Sequence, residues 1–268
     1  MPDVWAAVTD LDEIAQERLA TVLETRGADP QQREMRRDFL SRVFFPAGAK
    51  VVEIGCGTGV LTRVLAQWTN VQSVVGVDPA ISLVKKAREL AAGLPNVSFE
   101  EADGRTLPFA DAAFDVAIFD STLSHVPEPE LAIAEAFRVL RPGGSFGCFD
   151  GDYATTTVSL GDHDPLQTCV DAMMANSVND RWLMRRLTAL VRGQGFDNVE
   201  LRSFGFVDNR GGPYMLSIID RGADILRGSG KLTEEASADL KAEARRRADS
   251  SAFFGHIAYV AVTARKPA

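Results

Sequence analysis

Val51-Val52-Glu53-Ile54-Gly55-Cys56-Gly57-Thr58-Gly59 decides the reading of this chain. Val51 to Ile54 suit a buried strand, the glycines form a tight turn, and residues 60–68 carry a helical pattern. Glycine removes the Cβ atoms that would hold a ligand away from the backbone, and it permits dihedrals that other residues resist. In open α/β sheets ligands bind at the carboxyl ends of the strands, where this turn falls. Two common glycine loops do not match. A dinucleotide fingerprint, G-x-G-x-x-G, needs a small residue where Val60 stands. A nucleoside-triphosphate loop needs Gly-Lys-Ser/Thr at its end, and that is absent. The order here is acid-x-Gly-x-Gly-x-Gly.

Outward from the loop, short apolar runs alternate with amphipathic stretches. Strands are expected over residues 51–54, 74–77, from 97, 114–119 and 145–149, and helices over 60–68, 81–92 and 130–140. Such alternation implies a parallel sheet with helices on both faces, joined by right-handed crossovers. Before the loop, two helices are expected over 4–26 and 30–44, with Asp29 as N-cap and Pro30 in the first turn. After Asp150 the alternation breaks. Residues 151–177 read as irregular, polar and partly helical. Residues 181–194 read as a helix and 199–207 as a strand. Helical stretches follow near 214–226 and 234–249, and a last strand over 255–264.

Three further features follow successive strands. Asp78, in Val77-Asp78-Pro79, is placed to accept both hydrogen bonds of a ribose diol. Asp103, in Glu101-Ala102-Asp103-Gly104, can accept a bond from an adenine amine, although Asp-Gly is also a common turn. Leu140-Arg141-Pro142-Gly143-Gly144 reads as a turn into the fifth strand.

Taken together, these motifs, with Phe114-Asp115-Val116-Ala117, resemble those of a class I S-adenosylmethionine (SAM)-dependent methyltransferase, nearest the ubiquinone/menaquinone C-methyltransferase-like group of small-molecule enzymes. The resemblance is close over residues 50–150 and covers the flanks in outline. It implies an α/β, Rossmann-like, doubly wound sheet of seven strands, the last antiparallel and inserted beside the fifth. It implies one methyltransferase domain over residues 1–268, with an N-terminal helical cap at 1–46, a SAM-binding core at 50–150, and acceptor-side lid insertions at 151–178 and 208–252. It also implies roles. Gly55 and Gly57 would leave room for the methionine half of the cofactor, and Glu53 would orient its amino group. Asp78 would hold the ribose and Pro79 would pack near the adenine. Asp103 would bind the adenine amine beside the Gly104 amide. Asp120 and Ser121 would border the reacting methyl.

His125, in Ser121-Thr122-Leu123-Ser124-His125-Val126-Pro127, follows the fourth strand at the active edge. There it can take a proton from an acceptor or satisfy a loop carbonyl. His163 is a second base candidate or a turn residue, and His256 reads as structural. Asp150, Asp152 and Tyr153 follow strand five on the acceptor side. Cys56 lies near a helix N-terminus, which lowers a thiol pKa, or is a small residue tolerated in the loop. Cys148 reads as core, and Arg245-Arg246-Arg247 as a solvated helix face. No metal spacing is visible.

Composition bounds the partners. Among 268 residues, 29 Lys and Arg face 37 Asp and Glu, a net charge of −8. That disfavours a nucleic-acid partner and leaves a small-molecule methyl acceptor. No apolar run reaches the roughly 18 residues needed to cross a bilayer. The start, Met1-Pro2-Asp3-Val4-Trp5, lacks the pattern of a secretory signal, and three cysteines suit a reducing compartment, so a cytoplasmic location is expected. Association into a homo-oligomer would use the helical insertions.

Overall fold

The computed structural model describes Trp5, residues 8–10 and residues 13–268. Part of the first expected helix therefore lies outside the described residues. Of the remainder, Val8–Asp10 form a 3-10 turn and the α-helix proper is α1 (Glu13–Ala28). The Asp29 carboxylate then accepts the Gln32 N–H at 3.0 Å, and α2 (Pro30–Arg42) starts on Pro30 as the cap pattern requires.

Next come β1 (Ala49–Ile54), α3 (Val60–Leu65), β2 (Val71–Asp78), α4 (Ile81–Leu90), β3 (Val97–Glu101), β4 (Phe114–Asp120) and α5 (Pro129–Val139). These are followed by β5 (Leu140–Thr157), α6 (Pro165–Ser177), α7 (Leu187–Gly193), β6 (Asp197–Asp208), α8 (Pro213–Gly228), α9 (Glu234–Asp249) and β7 (Gly255–Arg265). The strands form one seven-stranded sheet in the order β3-β2-β1-β4-β5-β7-β6. The first five pair in parallel, and β7 runs antiparallel between β5 and β6.

Period-two alternation divides the core. Val51, Val116, Ile118 and Phe149 pack on one face with Phe39 of α2 and Ile218 of α8. Val52, Ala117 and Phe119 pack on the other with Ile133 of α5 and Val191 of α7. Both faces are covered, so the central strands are near-continuous Val/Ile/Phe runs.

Three details differ from the sequence reading. Residues 140–144 are already strand, and β5 continues to Thr157 instead of becoming irregular at Gly151. The reason is pairing at long range: Asp150, Gly151 and Asp152 lie opposite Val260, Tyr259 and Ala258 of β7. Within the register shift between Asp152 and Thr157, the Thr155 hydroxyl accepts the Ala258 N–H at 2.9 Å. Second, residues 181–194 divide into a 3-10 turn, Leu183–Arg185, and α7. Third, the arginine run on α9 is not simply solvated. Arg247 pairs with Asp164, the N-cap of α6, at 2.6 Å with its side chain only 12% exposed. Arg245 pairs with Asp220 of α8 at 2.7 Å. No described helix is long and apolar enough to cross a membrane.

Candidate functional site

At the carboxyl end of β1 the chain turns through left-handed dihedrals, with φ of +77° at Gly55 and +53° at Gly57. A Cβ on Gly55 would lie 2.2 Å from Thr122 Cγ2, and one on Gly57 2.7 Å from Leu23 Cδ1. Neither position admits a side chain without displacing a neighbour. The turn is held from β2: the Gly55 and Cys56 N–H groups donate to the Val77 carbonyl at 2.8 and 2.9 Å. Asp78 completes the hold. Its Oδ2 accepts the Gly57 N–H at 2.8 Å and its Oδ1 the Ala80 N–H at 2.9 Å. Each carboxylate oxygen keeps a further lone pair for a ligand. From the other side, Glu24 of α1 accepts the Thr58 hydroxyl at 2.6 Å and pairs with Arg63 at 2.8 Å.

Asp78 is 7% exposed, and burial pushes its pKa up to about 6 against its two backbone hydrogen bonds. Glu53 is 2% exposed and is pushed up to about 8, again by burial, although it accepts the Thr62 hydroxyl. Both folded values exceed the ordinary ones, so the native state keeps protons that the unfolded chain releases. For Glu53 that window runs from about pH 4.5 to about 8, and there stability falls as pH rises, by up to about 1.4 kcal/mol per unit. Urea unfolding of the ligand-free protein should give a lower unfolding free energy at pH 8 than at pH 5.5. Glu53→Gln should flatten that slope; a slope equal to wild type would assign the proton elsewhere. Cys56 differs from the expectation for a helix N-terminus: burial pushes its thiol well above the usual value, leaving it unreactive.

The other predicted residues distribute unevenly. Asp103 and Gly104 line the cavity described below, where the Arg105 guanidinium donates to Asp103 Oδ1 at 3.1 Å and to Oδ2 at 2.7 Å. That pairing holds the Asp103 carboxyl below its usual range. Asp120 ends β4 and accepts the Arg36 Nε–H at 2.7 Å. Ser121 follows at φ +53° and donates its amide to the Phe149 carbonyl at 2.6 Å. His125 ends the 3-10 turn Leu123–His125, its ring 6.0 Å from Trp5 and 5.8 Å from Tyr153 between centroids.

All of these border one cavity of about 310 Å³, together with Glu53, Gly55, Gly57, Asp78 and Pro79. That volume is within the range of small-molecule sites. Asp150 does not border it. Fully buried, Asp150 accepts the Ser124 and Gly151 N–H groups at 3.1 and 2.8 Å and so anchors the turn that carries His125. Asp152 pairs with Arg185 at 2.9 Å. His163 lies in an exposed turn and His256 in β7; neither lines the cavity.

Among the lining residues that escaped the sequence reading are two arginines of the N-terminal helices, Arg26 of α1 and Arg36 of α2. The signal was present for Arg36. The buried stripe of α2 includes Gln32, Met35, Arg36, Phe39 and Leu40, and a charge within an apolar stripe marks an inward polar group.

The family description "methyltransferase domain" matches residues 52–148, the stretch from β1 to β5 that builds the loop, Asp78 and Asp120. Those residues make up less than half of the chain, and over them it resembles a class I SAM-dependent methyltransferase domain. The cofactor of such domains is S-adenosylmethionine. The domain is 33% identical over 150 residues to an uncharacterized 37.1 kDa protein in transposon TN4556 of Streptomyces fradiae, covering 56% of this chain and 44% of that protein. It is 26% identical over 189 residues to the demethylmenaquinone methyltransferase of Staphylococcus carnosus, covering 65% of this chain and 78% of the relative. The chain thus spans less than half of the first relative and about three quarters of the second. Among solved structures, a methyltransferase-like protein of Bacillus halodurans superposes with a TM-score of 0.63 at 20% identity, covering 87% and 98% of the two chains. The cyclase SpnF superposes at 0.59 and 23%, covering 100% and 97%. At these identities the superpositions speak for the shared fold.

Proposed function

We propose that this protein transfers the methyl group of SAM to a small-molecule acceptor, a secondary metabolite or quinone-like compound, by in-line displacement. The observation that carries this reading is Asp78: one buried carboxylate anchors the glycine turn at Gly57 and retains acceptor capacity at the cavity wall. The wall suits the cofactor's parts. Asp78 would receive the ribose hydroxyls, Pro79 the adenine face, and Asp103 with the Gly104 amide the adenine edge. Gly55 and Gly57 would pass the methionine chain close to the backbone, and Glu53 would orient its ammonium group. Asp120 and Ser121 would border the methyl.

When bound, SAM supplies an electrophilic methyl on a sulfonium. The chain's task is then to align the acceptor and exclude water, and alignment alone is worth roughly 7–11 kcal/mol. Residues 1–46 would cap the site and residues 151–178 and 208–252 would enclose the acceptor, all within one domain over residues 1–268. The demethylmenaquinone relative supports a conjugated, quinone-like acceptor.

His125 is the base candidate for an acceptor that must lose a proton, a role worth about 10²–10⁴-fold in rate. His125→Ala should lower turnover by that factor near pH 7; full turnover in the variant would remove the role.

A second reading, cyclisation on the same scaffold, draws on the match of SpnF along the whole chain. Incubation with methyl-labelled SAM and a pool of small aromatic acceptors separates the two. Label in a small product supports methyl transfer. Cofactor binding without label transfer fits a non-methylating enzyme such as a cyclase or a non-catalytic SAM-binding module.

A further inference from the structure

β6 ends the sheet on one side, and no strand pairs with its outer edge among the described residues. Its register with β7 runs without interruption from Glu200 to Asp208, after one shift between Asp197 and Glu200. The Val207 N–H and C=O turn away from β7 and bond the Gln31 side chain of α2, at 3.2 and 2.7 Å. Alternation then turns the N–H and C=O of Leu201, Ser203 and Gly205 to the same open side. Among the described residues nothing bonds them there. At the other end of the strand Arg192 donates to the Val199 carbonyl at 3.2 Å. The chain thus covers its own edge at Val199 and at Val207, each four residues from Ser203, and leaves the positions between them open.

Exposed edges usually carry a device against strand addition: a lysine, a proline, a bulge or a covering helix. From Leu201 to Gly205 β6 has no lysine, no proline and no bulge. The side chains add a match of shape. Leu201, Ser203, Gly205 and Val207 alternate onto one face, where Leu201 is 52% and Val207 40% exposed. Gly205 is a notch on that face: a Cβ there would have only His256 Nε2 within 4 Å, at 3.6 Å. The exposed leucine and the notch lie four residues apart, with Ser203 midway. On the opposite face Arg202 lies over the Phe204 ring at 5.6 Å and pairs with Asp38 of α2 at 3.1 Å, so its charge is already compensated. Covers, open amides, leucine and notch are all placed symmetrically about one residue. Such a pattern is self-complementary, which fits a second copy of this chain and gives no advantage to an unrelated strand.

We propose that β6 is a homodimer surface, on which two copies pair their edges antiparallel about a two-fold axis at Ser203. Leu201 then pairs with the partner's Gly205, and Ser203 with the partner's Ser203. Each of these pairs exchanges both backbone bonds, and the ladder stops where Gln31 and Arg192 cover the edge. Each Leu201 fills the partner's Gly205 notch, and each Arg202 faces the partner's Phe204. A contact confined to one strand pair and its flanks is small, so the dimer is reversible. Association runs through the sheet edge, not through the helical insertions.

Sedimentation equilibrium of the full chain tests this. The average mass should rise from one chain toward two over concentrations on the order of 1–100 µM. Ser203→Lys sets two ammonium groups against each other at the axis and should weaken association at least tenfold. Its melting temperature, measured at a dilution where the wild type is monomeric, should stay within about 2 °C of wild type, because the site is exposed. The register has its own readout, since the three native cysteines are buried. Ser203→Cys should form a disulfide-linked dimer under mild oxidation, as residues paired across the axis lie about 5.5 Å apart at Cα. Leu201→Cys should not, because the two copies of that residue are about 14 Å apart along the ladder. A wild type that stays monomeric over that range overturns the proposal. So does association that Ser203→Lys leaves unchanged, or a Leu201→Cys protein that cross-links as readily as Ser203→Cys, since the contact then lies elsewhere.

Discussion

Asp78→Ala is expected to weaken S-adenosylhomocysteine binding by roughly 30- to 1,000-fold. Two charge-assisted hydrogen bonds to a ribose diol, in a site that excludes water, contribute on the order of 2–4 kcal/mol together, and each 1.4 kcal/mol is tenfold in affinity. The loss has a second origin. Removing the carboxylate also releases the Gly57 and Ala80 N–H groups, which hold the turn and the start of α4 in place. Asp78→Asn keeps one carbonyl-type acceptor and should lose less than Asp78→Ala. Asp103→Ala gives the contrast: that carboxylate is largely exposed and already shared with Arg105, so its loss should cost less than tenfold. Calorimetric titration of the three variants orders them. An Asp78→Ala protein with wild-type affinity would refute the ribose assignment.

Gly222→Ala should lower the melting temperature by about 2–12 °C. Gly222 lies where α8 crosses α6, and a Cβ there would stand 1.9 Å from the Cys169 carbonyl oxygen and 2.5 Å from its carbon. The obstacle is helix backbone, which cannot rotate aside, so the helices must separate. Met215, Ile218, Ile219 and Ala223 on α8 pack into the same core as Leu166, Val170 and Met173 of α6, and that core would open. Overpacking of this kind costs about 1–3 kcal/mol, and each kcal/mol lowers the melting point of a chain this size by about 2–4 °C. Gly228, on the same helix, has nothing within 4 Å of its Cβ position. Gly228→Ala should therefore be neutral or raise stability by up to about 1 kcal/mol through the unfolded state. Scanning calorimetry distinguishes the pair, and equal melting of both variants would show that α6 and α8 do not touch at Gly222.

Local constraints made the parallel half of the sheet and its loop readable in the sequence. Gly55 and Gly57 need dihedrals that glycine alone adopts freely, and Asp78 sits where a strand must end. The start of α2 was equally plain, because Asp29 and Pro30 carry the cap in their own chemistry. What escaped depends on contacts distant in the chain. Asp150-Gly151-Asp152 has turn composition, and only pairing with β7 keeps it in a strand. Asp150 reads as an acceptor-side carboxylate, yet its bonds to the Ser124 and Gly151 amides make it the anchor of a neighbouring turn. Arg36 is one more charge on a polar helix until Asp120 comes to meet it. Arg26 lines the cavity only because α1 packs on the glycine turn, where Glu24 accepts the Thr58 hydroxyl.

The central claim is that the cavity behind Gly55, Gly57 and Asp78 takes S-adenosylmethionine. Calorimetric titration of SAM and of S-adenosylhomocysteine into the intact protein tests it most directly. The predicted result is saturable binding of both at one site per chain, lost in step with Asp78→Ala. Absence of saturable binding by either compound would contradict the account.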